Sequence, residues 1–304
     1  MRHLISLDDL ADDDLRAIVR RAAQLAERPR SAGTSLRGDV VGIHFRKTST
    51  RTRTAFSAGA LRLGAQIIAY GPGDLQTNTG ETIEDTGRVL SSMLDVLVAR
   101  TAADPAELRT LAAQDRMAVI NAMSEDEHPT QALADLTTLV RRFGRVDGLR
   151  VLYLGEGNNS AAALALALSR FPGAELHLRT PPGYGLTADV LARAQAHAIR
   201  SGASIVELHD PEDVPDGVDV VYTTRWETTG TTKPDPDWRK LFAPFQVTTQ
   251  LWRTSPGAVF LHDLPAHRGE EVTTEVLDGP HSLAFAQAEN KLYSAMAALE
   301  WCRS

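Results

Sequence analysis

The sequence has little cysteine, no long apolar run and no excess of positive charge. Its single cysteine, Cys302, excludes an internal disulfide and fits a reducing compartment. No stretch approaches roughly 18 consecutive apolar residues, so we expect no membrane-spanning helix, and the N-terminal segment turns acidic before an apolar run long enough for a signal peptide. The net charge is −7 with scattered Lys and Arg, which leaves no basic face for nucleic acid. We therefore expect a cytoplasmic protein that binds neither membranes nor nucleic acids.

A chain of 304 residues is too long for one small core and predicts two domains of roughly 150 residues each. Short β-rich runs alternate with amphipathic helical stretches, which indicates an α/β fold with parallel sheets. The predicted strands are Val40–Phe45, Gln66–Tyr70, Val96–Ala99, Ala118–Asn121, Arg150–Leu154, Glu175–Leu178, Ser204–Leu208, Val218–Tyr222 and Ala258–His262. The predicted helices include Leu10–Ala26, Thr52–Leu63, Ile83–Met93, Pro105–Ala113, Thr130–Phe143, Ser160–Phe171, Ala188–Ser201 and Phe285–Arg303.

A polar, glycine-bearing break at residues 144–148 indicates the domain boundary. We expect residues 1–143 to form the first domain, joined by a C-terminal helix at 285–304, and residues 147–284 to form the second. The predicted fold is two doubly wound parallel-sheet domains of similar size. The second is expected to be Rossmann-like, and the long C-terminal helix is expected to pack back on the first domain.

The segment Phe45–Thr54 follows a predicted strand and opens a predicted helix. A helix N-terminus exposes unpaired backbone N–H groups and carries partial positive charge, so it favours an anion. Ser49, Thr50 and Thr52 add hydroxyl donors. Arg51 adds a forked, permanently charged donor suited to phosphate. The segment indicates a phosphate site, and the alternative is an ordinary helix cap followed by solvated arginines.

Two later strand ends supply further candidates. His128 and Gln131 lie three residues apart at a second strand-to-helix transition, a spacing that lets both face one ligand. Arg100 ends a predicted strand, where sites in parallel sheets usually form. Taken singly, each has an alternative, because a lone His is often structural and a strand-end Arg is often a surface residue.

Together, these residues resemble those of the aspartate/ornithine carbamoyltransferases. The likeness rests on Ser49–Arg53, Arg100 and His128–Gln131, in this order and spacing. It extends along nearly the whole chain through residues 4–10, 155–159, 242–247 and 262–273, the last two of which look like the ornithine branch. The resemblance implies a homotrimer with shared active sites, and a reaction that needs neither metal nor cofactor.

The resemblance also implies roles on the carbamoyl phosphate side. The implied contacts are Ser49, Thr50, Arg51, Thr52, Gln76, Arg100, His128, Gln131, Leu264 and Lys291. Residues 49–52 would hold the phosphate, and Gln76 would come from the 73–81 loop of a neighbouring subunit. Lys291 stands where the family uses Arg, and it offers a point charge without the bidentate fork. The implied catalytic residues are Arg51, Thr52, Arg100 and His128.

The amine side departs from the ornithine pattern. The implied contacts are Asn158, Asn159, Thr224, Thr228, Thr229 and Asp263. Thr224 replaces an acid, and Thr228-Thr229 replaces Ser-Met. Losing a carboxylate partner for an ammonium removes about 1.5–3 kcal/mol of binding unless it is replaced. Asp263 replaces a Cys; it would orient a cationic amine and favour its protonated form, unless it points away as a cap.

The leading hypothesis is a carbamoyltransferase that moves the carbamoyl group of carbamoyl phosphate to the side-chain amine of ornithine or a related diamino compound. The reaction would release phosphate and a ureido product. One alternative is a non-catalytic regulatory protein that binds carbamoyl phosphate. The other is a nicotinamide-dependent Rossmann enzyme, suggested by residues 155–160; Ser160 stands where the third glycine of that fingerprint would be.

Overall fold

The computed structural model describes residues 1–28, 33–227 and 232–304. The chain divides into two compact units: unit 1 comprises Met1–Thr137 and Glu289–Ser304, and unit 2 comprises Thr138–Ala288. Each unit contains one parallel sheet. Over the described ranges, no helix combines the length and the apolar character needed to cross a membrane.

Unit 1 is built on a four-stranded sheet. Its strands are β1 (Val40–Phe45), β2 (Gln66–Tyr70), β3 (Val96–Arg100) and β4 (Ala118–Met123), in the spatial order β2-β1-β3-β4. Its helices are α1 (Asp12–Glu27), α2 (Arg51–Arg62), α3 (Ile83–Ser91), α4 (Ala106–Ala112) and the start of α5 (Pro129–Phe143). β3 and β4 are buried along their whole length, as expected for parallel strands that are covered on both faces.

Unit 2 is built on a five-stranded sheet. Its strands are β5 (Arg150–Leu154), β6 (Glu175–Arg179), β7 (Ser204–Leu208), β8 (Val220–Thr223) and β9 (Val259–His262), in the order β7-β6-β5-β8-β9. Its helices are α6 (Asn159–Leu168), α7 (Ala188–Ser201), α8 (Trp238–Phe242) and α9 (Thr274–Leu277), followed by the start of α10 (Ala284–Arg303). The strand order reverses between β5 and β8, where ligands bind in open α/β sheets.

The predicted fold class is confirmed, and each predicted strand is present with its ends within two residues. α6 ends at Leu168 rather than at the predicted Phe171. Helices α8 and α9 were not predicted, because their five and four residues are too few to show a helical period.

The last helix packs on unit 1, as predicted. Arg303 forms two hydrogen bonds to the Asp39 carboxylate, at 2.7 and 3.1 Å. Arg21 forms the same kind of pair with Glu300, at 2.6 and 3.0 Å. Planar two-point contacts between arginine and carboxylate fix orientation as well as distance. The end of α10 is therefore held against α1 and against the residue that precedes β1.

Glu127 ties the N-terminal segment to the turn before α5. Its Oε1 accepts from the backbone N–H of Leu7 at 2.8 Å, and its Oε2 accepts from Ser6 Oγ at 2.5 Å. Burial raises the pKa of Glu127 from its ordinary 4.5 to about 7, although these two hydrogen bonds oppose the shift. The folded protein therefore binds a proton here more tightly than the unfolded chain does.

We expect Glu127→Gln to remove a pH-dependent loss of stability. The contribution of Glu127 is fully present below pH 4.5 and is lost as the pH rises through about 7, because the folded state must then hold a buried carboxylate. In thermal unfolding from pH 4.5 to 8, the Tm of the wild type should fall relative to that of the variant. Glu84→Gln, at an exposed position of α3, is the control. A constant Tm difference across this range would contradict the prediction.

Candidate active site

The N-terminus of α2 is the candidate phosphate site. The helix begins at Arg51, after the turn that follows β1. Within the described part of the chain, Thr50 makes no side-chain capping hydrogen bond, and the first turn carries no acidic residue. Thr52 is buried in that turn. The positive end of the helix is therefore presented without a carboxylate of its own, as an anion site requires.

A β-bulge at the end of β3 sets the position of Arg100. On β1, Phe45 pairs with Arg100; on β4, the register shifts so that Arg100 lies opposite Met123. Met123 has a φ of 148°, and its backbone N–H donates to Asn121 Oδ1 at 2.9 Å. The extra residue bends β4 at the edge of the sheet. Arg100 is buried at this carboxyl edge, the edge from which the turn into α2 also leaves.

His128 is a buried ring beside two cations. It is the last residue before α5. Burial lowers the pKa of His128 well below its ordinary 6.5, and the charges of Lys291 and Arg100 lower it further. Thr130 Oγ1 lies 3.3 Å from Nδ1 of the ring. When Thr130 donates to Nδ1, the neutral ring keeps its hydrogen on Nε2 and is an uncharged donor.

Gln131 joins the candidate site to α10. Lys291 Nζ donates to Gln131 Oε1, across 160 positions of sequence. Gln131 Nε2 donates to Asp135 Oδ1 at 2.7 Å, one helical turn further along α5. All three side chains are buried. The Lys291 charge is therefore linked to the buried Asp135 carboxylate through the Gln131 amide, whose orientation these two hydrogen bonds fix.

The structure thus brings Arg100, His128, Gln131 and Lys291 together in unit 1. Gln76 is exposed in the 3-10 helix Gln76–Thr79, and its Oε1 accepts from Thr79 Oγ1 at 2.7 Å. Its predicted role in the site of a neighbouring subunit stays a prediction. The same holds for Leu264, which belongs to unit 2.

In unit 2, the glycine-bearing turn before α6 serves the packing of the chain itself. A Cβ at Gly157 would lie 2.3 Å from backbone carbon C of Gly185, and the Gly157 N–H donates to the Tyr184 carbonyl at 2.7 Å. Asn158 Oδ1 caps α6 by accepting from two of its first backbone N–H groups. In the dinucleotide fingerprint, the glycine lets the backbone approach a bound pyrophosphate closely, and the helix N-terminus binds that pyrophosphate. Here the glycine is packed against the chain itself, and the helix N-terminus is capped by Asn158. This geometry disfavours the nicotinamide alternative.

Thr224 belongs to a directed series of hydrogen bonds. Tyr153 Oη donates to the Glu156 carbonyl at 2.6 Å and lies 2.9 Å from Thr224 Oγ1. Burial raises the pKa of Tyr153 well above its ordinary 10.0, so the phenol keeps its single hydrogen. Thr224 therefore donates to Tyr153 and accepts from Asn158 Nδ2 at 3.0 Å. A neutral hydroxyl engaged in this way does not replace a carboxylate as the partner of an ammonium.

Asp263 is a part-buried carboxylate at the start of α6. Its Oδ2 accepts from Ser160 Oγ at 2.9 Å, and its side chain is 17% exposed. The His262 ring lies 3.5 Å away, but its Nδ1 accepts the backbone N–H of Leu264 at 2.8 Å and so carries no hydrogen towards Asp263. Asp263 therefore lies near the predicted contacts Asn158 and Asn159.

Two further predicted amine contacts, Thr228 and Thr229, lie outside the described residues. Several residues that were not predicted as substrate contacts bond to side chains at or next to the candidate site. Asp135 could have been found from its four-residue spacing to Gln131. Glu271 accepts from His262 Nε2 at 3.1 Å, and Ser160 donates to Asp263; in both cases no local pattern signals the partner.

The family comparisons cover nearly the whole chain. Residues 2–141 match the family model "Aspartate/ornithine carbamoyltransferase, carbamoyl-P binding domain". Residues 147–302 match the model "Aspartate/ornithine carbamoyltransferase, Asp/Orn binding domain".

Curated relatives and solved structures that are similar to this chain come from the same family as the two matching family models. The ornithine carbamoyltransferase of Thermococcus kodakarensis is 38% identical over 98% of this chain and 95% of its own length. That of Caldicellulosiruptor saccharolyticus is 39% identical over 98% and 97%. The solved ornithine carbamoyltransferase of Pyrococcus furiosus superposes with a TM-score of 0.92 at 38% identity, covering 98% of this chain and 96% of that one. The chain therefore belongs to the aspartate/ornithine carbamoyltransferase family and is a carbamoyltransferase.

Proposed function

We propose that the enzyme transfers the carbamoyl group of carbamoyl phosphate to the side-chain amine of ornithine or a related diamino compound. The products are phosphate and a ureido compound. The observation that supports this most directly is the group of Arg100 and Lys291 around the neutral, buried His128 in unit 1. Such a group favours a small anion that also presents a polar carbonyl oxygen.

The reaction follows from the chemistry of the donor. The neutral amine attacks the carbamoyl carbon, an N–C bond forms, and the carbonyl oxygen takes the negative charge of a tetrahedral intermediate. The C–O bond to phosphate then breaks, and phosphate leaves with the electron pair. In this proposal, Thr52, Arg100 and His128 donate to the developing oxyanion. Each donor of this kind lowers the barrier by about 3–4 kcal/mol at most.

Orientation supplies a further part of the acceleration. Holding the amine in line with the carbamoyl carbon contributes on the order of 7–11 kcal/mol. In this proposal, Ser49, Thr50 and Arg51 fix the phosphate end, and Gln131 with Lys291 fixes the carbamoyl end. The departing phosphate takes the proton that the attacking nitrogen loses, so no side-chain base is required.

On the amine side, we propose that Asp263 is the carboxylate that attracts the acceptor. Ser160 holds it in one orientation, and no cationic side chain lies at its oxygens in the described part of the chain. Asn158 and Asn159 complete the amine contacts at the start of α6, and Thr224 fixes the Asn158 amide. A related diamino compound is included because Thr224 supplies no negative charge.

We propose that the enzyme is a homotrimer in which Gln76 of each chain completes a neighbouring site. The exposed position of Gln76 in the isolated chain supports this assembly. A cytoplasmic location and the absence of a cofactor stay predictions.

A colorimetric assay for ureido product, run with carbamoyl phosphate and a panel of amines, tests the function. Ornithine, shorter and longer diamino acids, and diamines without a carboxylate form the panel. We expect product from at least one diamino compound. Binding of carbamoyl phosphate without product from any amine would favour the regulatory-protein alternative and would contradict our proposal.

We expect Asp263→Cys to change the ranking of amines. Losing a carboxylate removes about 1.5–3 kcal/mol of attraction, so kcat/KM for doubly cationic amines should fall about tenfold or more relative to singly cationic ones. The measurement is kcat/KM across the panel at fixed pH. Asp216→Cys, at an exposed position of unit 2, is the control. An unchanged ranking would mean that Asp263 does not lie beside the acceptor.

A further inference from the structure

Lys233 of unit 2 lies in a cage of aromatic rings. Its side chain is 3% exposed, and Nζ lies 4.7 Å from the ring centroids of both Tyr184 and Phe242. The Trp238 ring centroid lies 5.3 Å from the same nitrogen. Phe242 contacts the other two rings, at 4.9 Å from Tyr184 and 5.3 Å from Trp238. Three rings thus surround one ammonium at distances where a ring attracts a cation.

A carboxylate completes the cage. Lys233 Nζ donates to Glu156 Oε1 at 2.5 Å, and the Glu156 side chain is 17% exposed. Removing two charges from water is costly, so a buried ion pair is weak evidence for stability. The pair does fix the direction of the Glu156 side chain, because the rings leave the ammonium little freedom. A role in orientation therefore explains the pair better than a role in stability.

Glu156 lies in the turn that carries the candidate amine contacts. Its carbonyl oxygen accepts from the backbone N–H of Asn158 at 2.8 Å and from Tyr153 Oη at 2.6 Å. The backbone of the turn is thus held through Glu156 from two directions. A contact that fixes the position of Glu156 therefore also fixes the orientation of Asn158, a later residue of the same turn.

The hydrogen bonds that begin at Lys233 and Glu156 continue to the Asp263 carboxylate. Asn158 caps α6 by accepting the backbone N–H of Ser160. Ser160 Oγ then donates to Asp263 Oδ2 at 2.9 Å. A continuous set of polar contacts therefore runs from the Lys233 ammonium to the Asp263 carboxylate, entirely within unit 2.

We propose that Lys233 is a positioning residue for the acceptor amine. By fixing Glu156, it fixes the turn from which Asn158 and, through Ser160, Asp263 take their orientation. Lys233 contacts neither substrate nor reacting atoms, and it acts on the binding of the amine rather than on the donor residues of unit 1. This inference rests on the proposed function.

The test compares Lys233→Met, Lys233→Arg and Arg239→Met in the full-length enzyme. Methionine keeps an unbranched apolar side chain but removes the charge, so KM for the best amine of the panel should rise on the order of tenfold. KM for carbamoyl phosphate should change less than twofold. Arginine keeps a cation that stacks on rings, and it should restore most of the amine affinity. Arg239 lies 4.4 Å from the Trp238 ring but is exposed, so Arg239→Met is the matched control and should behave as wild type.

Several outcomes would overturn the inference. One is an unchanged amine KM in Lys233→Met; another is an equal rise in Arg239→Met. A parallel rise of both KM values together with a lowered Tm would indicate a purely structural role. If Lys233→Met does not fold, Glu156→Gln is measured instead and should raise the amine KM in the same way.

The results also separate this inference from the proposed function. Absence of product in the wild type would contradict the proposed function. Product in the wild type with an unchanged amine KM in the variants would contradict only this inference.

Discussion

Arg51→Ala is expected to abolish measurable carbamoyl transfer to every amine, with kcat/KM falling by at least about 10²–10³. Arg51 opens α2, and the first turn of this helix carries no acidic residue. In the proposed function, its removal takes away a charged, two-point donor to the phosphate, which must be held both in the bound substrate and as the leaving group. The loss should therefore be the same for all amines, unlike the loss in Asp263→Cys.

The measurement is steady-state kcat/KM with each amine, together with the affinity for carbamoyl phosphate from calorimetry. Arg62→Ala removes an exposed arginine from the last turn of the same helix and is the control. Each variant loses one positive charge from the same helix. A difference in kcat/KM between the two variants is therefore due to the position of the lost arginine. Retention of more than a tenth of wild-type kcat/KM in Arg51→Ala would contradict the assignment of this turn to phosphate.

His128→Ala is expected to lower kcat by about 10²–10³ while leaving the amine KM nearly unchanged. In the proposed mechanism, the neutral ring donates to an oxygen that becomes charged only during the reaction, so removing the ring should raise the energy of the transition state more than that of the bound substrate. His177→Ala, on β6 of unit 2, controls for the loss of a histidine. A variant that loses substrate affinity but keeps kcat would contradict this role.

The pH dependence gives a second readout for His128. Burial and two nearby cations hold the pKa of the ring well below 6.5, so the ring stays neutral as the pH falls through that value. We therefore expect that His128 causes no inflection in the pH profile of kcat near pH 6.5. The wild type and His128→Ala should have profiles of the same shape in that range. The sign for stability is opposite to that of Glu127: below pH 6.5 the unfolded chain gains a proton that the folded ring does not, so the contribution of His128 falls as the pH falls.

The strands were predictable because parallel strands buried on both faces are short apolar runs bounded by polar turns, as in Val96–Arg100 and Ala118–Met123. The bulge between these strands was not predictable. It depends on a positive φ at Met123 and on the Asn121 side chain, which no local propensity encodes. The short helix Trp238–Phe242 was missed for a different reason, since five residues do not complete two turns.

Candidate site residues could be proposed from the sequence where they cluster along the chain, as in Ser49–Thr52 and His128–Gln131, and their roles stay predictions. The side-chain contacts that join distant positions could not be predicted. Lys291 was assigned from resemblance, but its bond to Gln131 spans 160 positions and appears only in the fold. The polar link from Asp263 to Ser160 spans 103 positions, and the sequence alone left open whether Asp263 points away as a cap.

Unit 1 is formed from two separated stretches, because Glu289–Ser304 joins Met1–Thr137 only after unit 2 has been passed along the chain. Lys291, which contacts Gln131, lies in the second stretch. During translation, the ribosome must therefore make all of unit 2 before Lys291 can reach Gln131. A nascent chain that stops short of α10 lacks this contact, so the buried hydrogen bonds that join Lys291, Gln131 and Asp135 form only after synthesis has passed that helix.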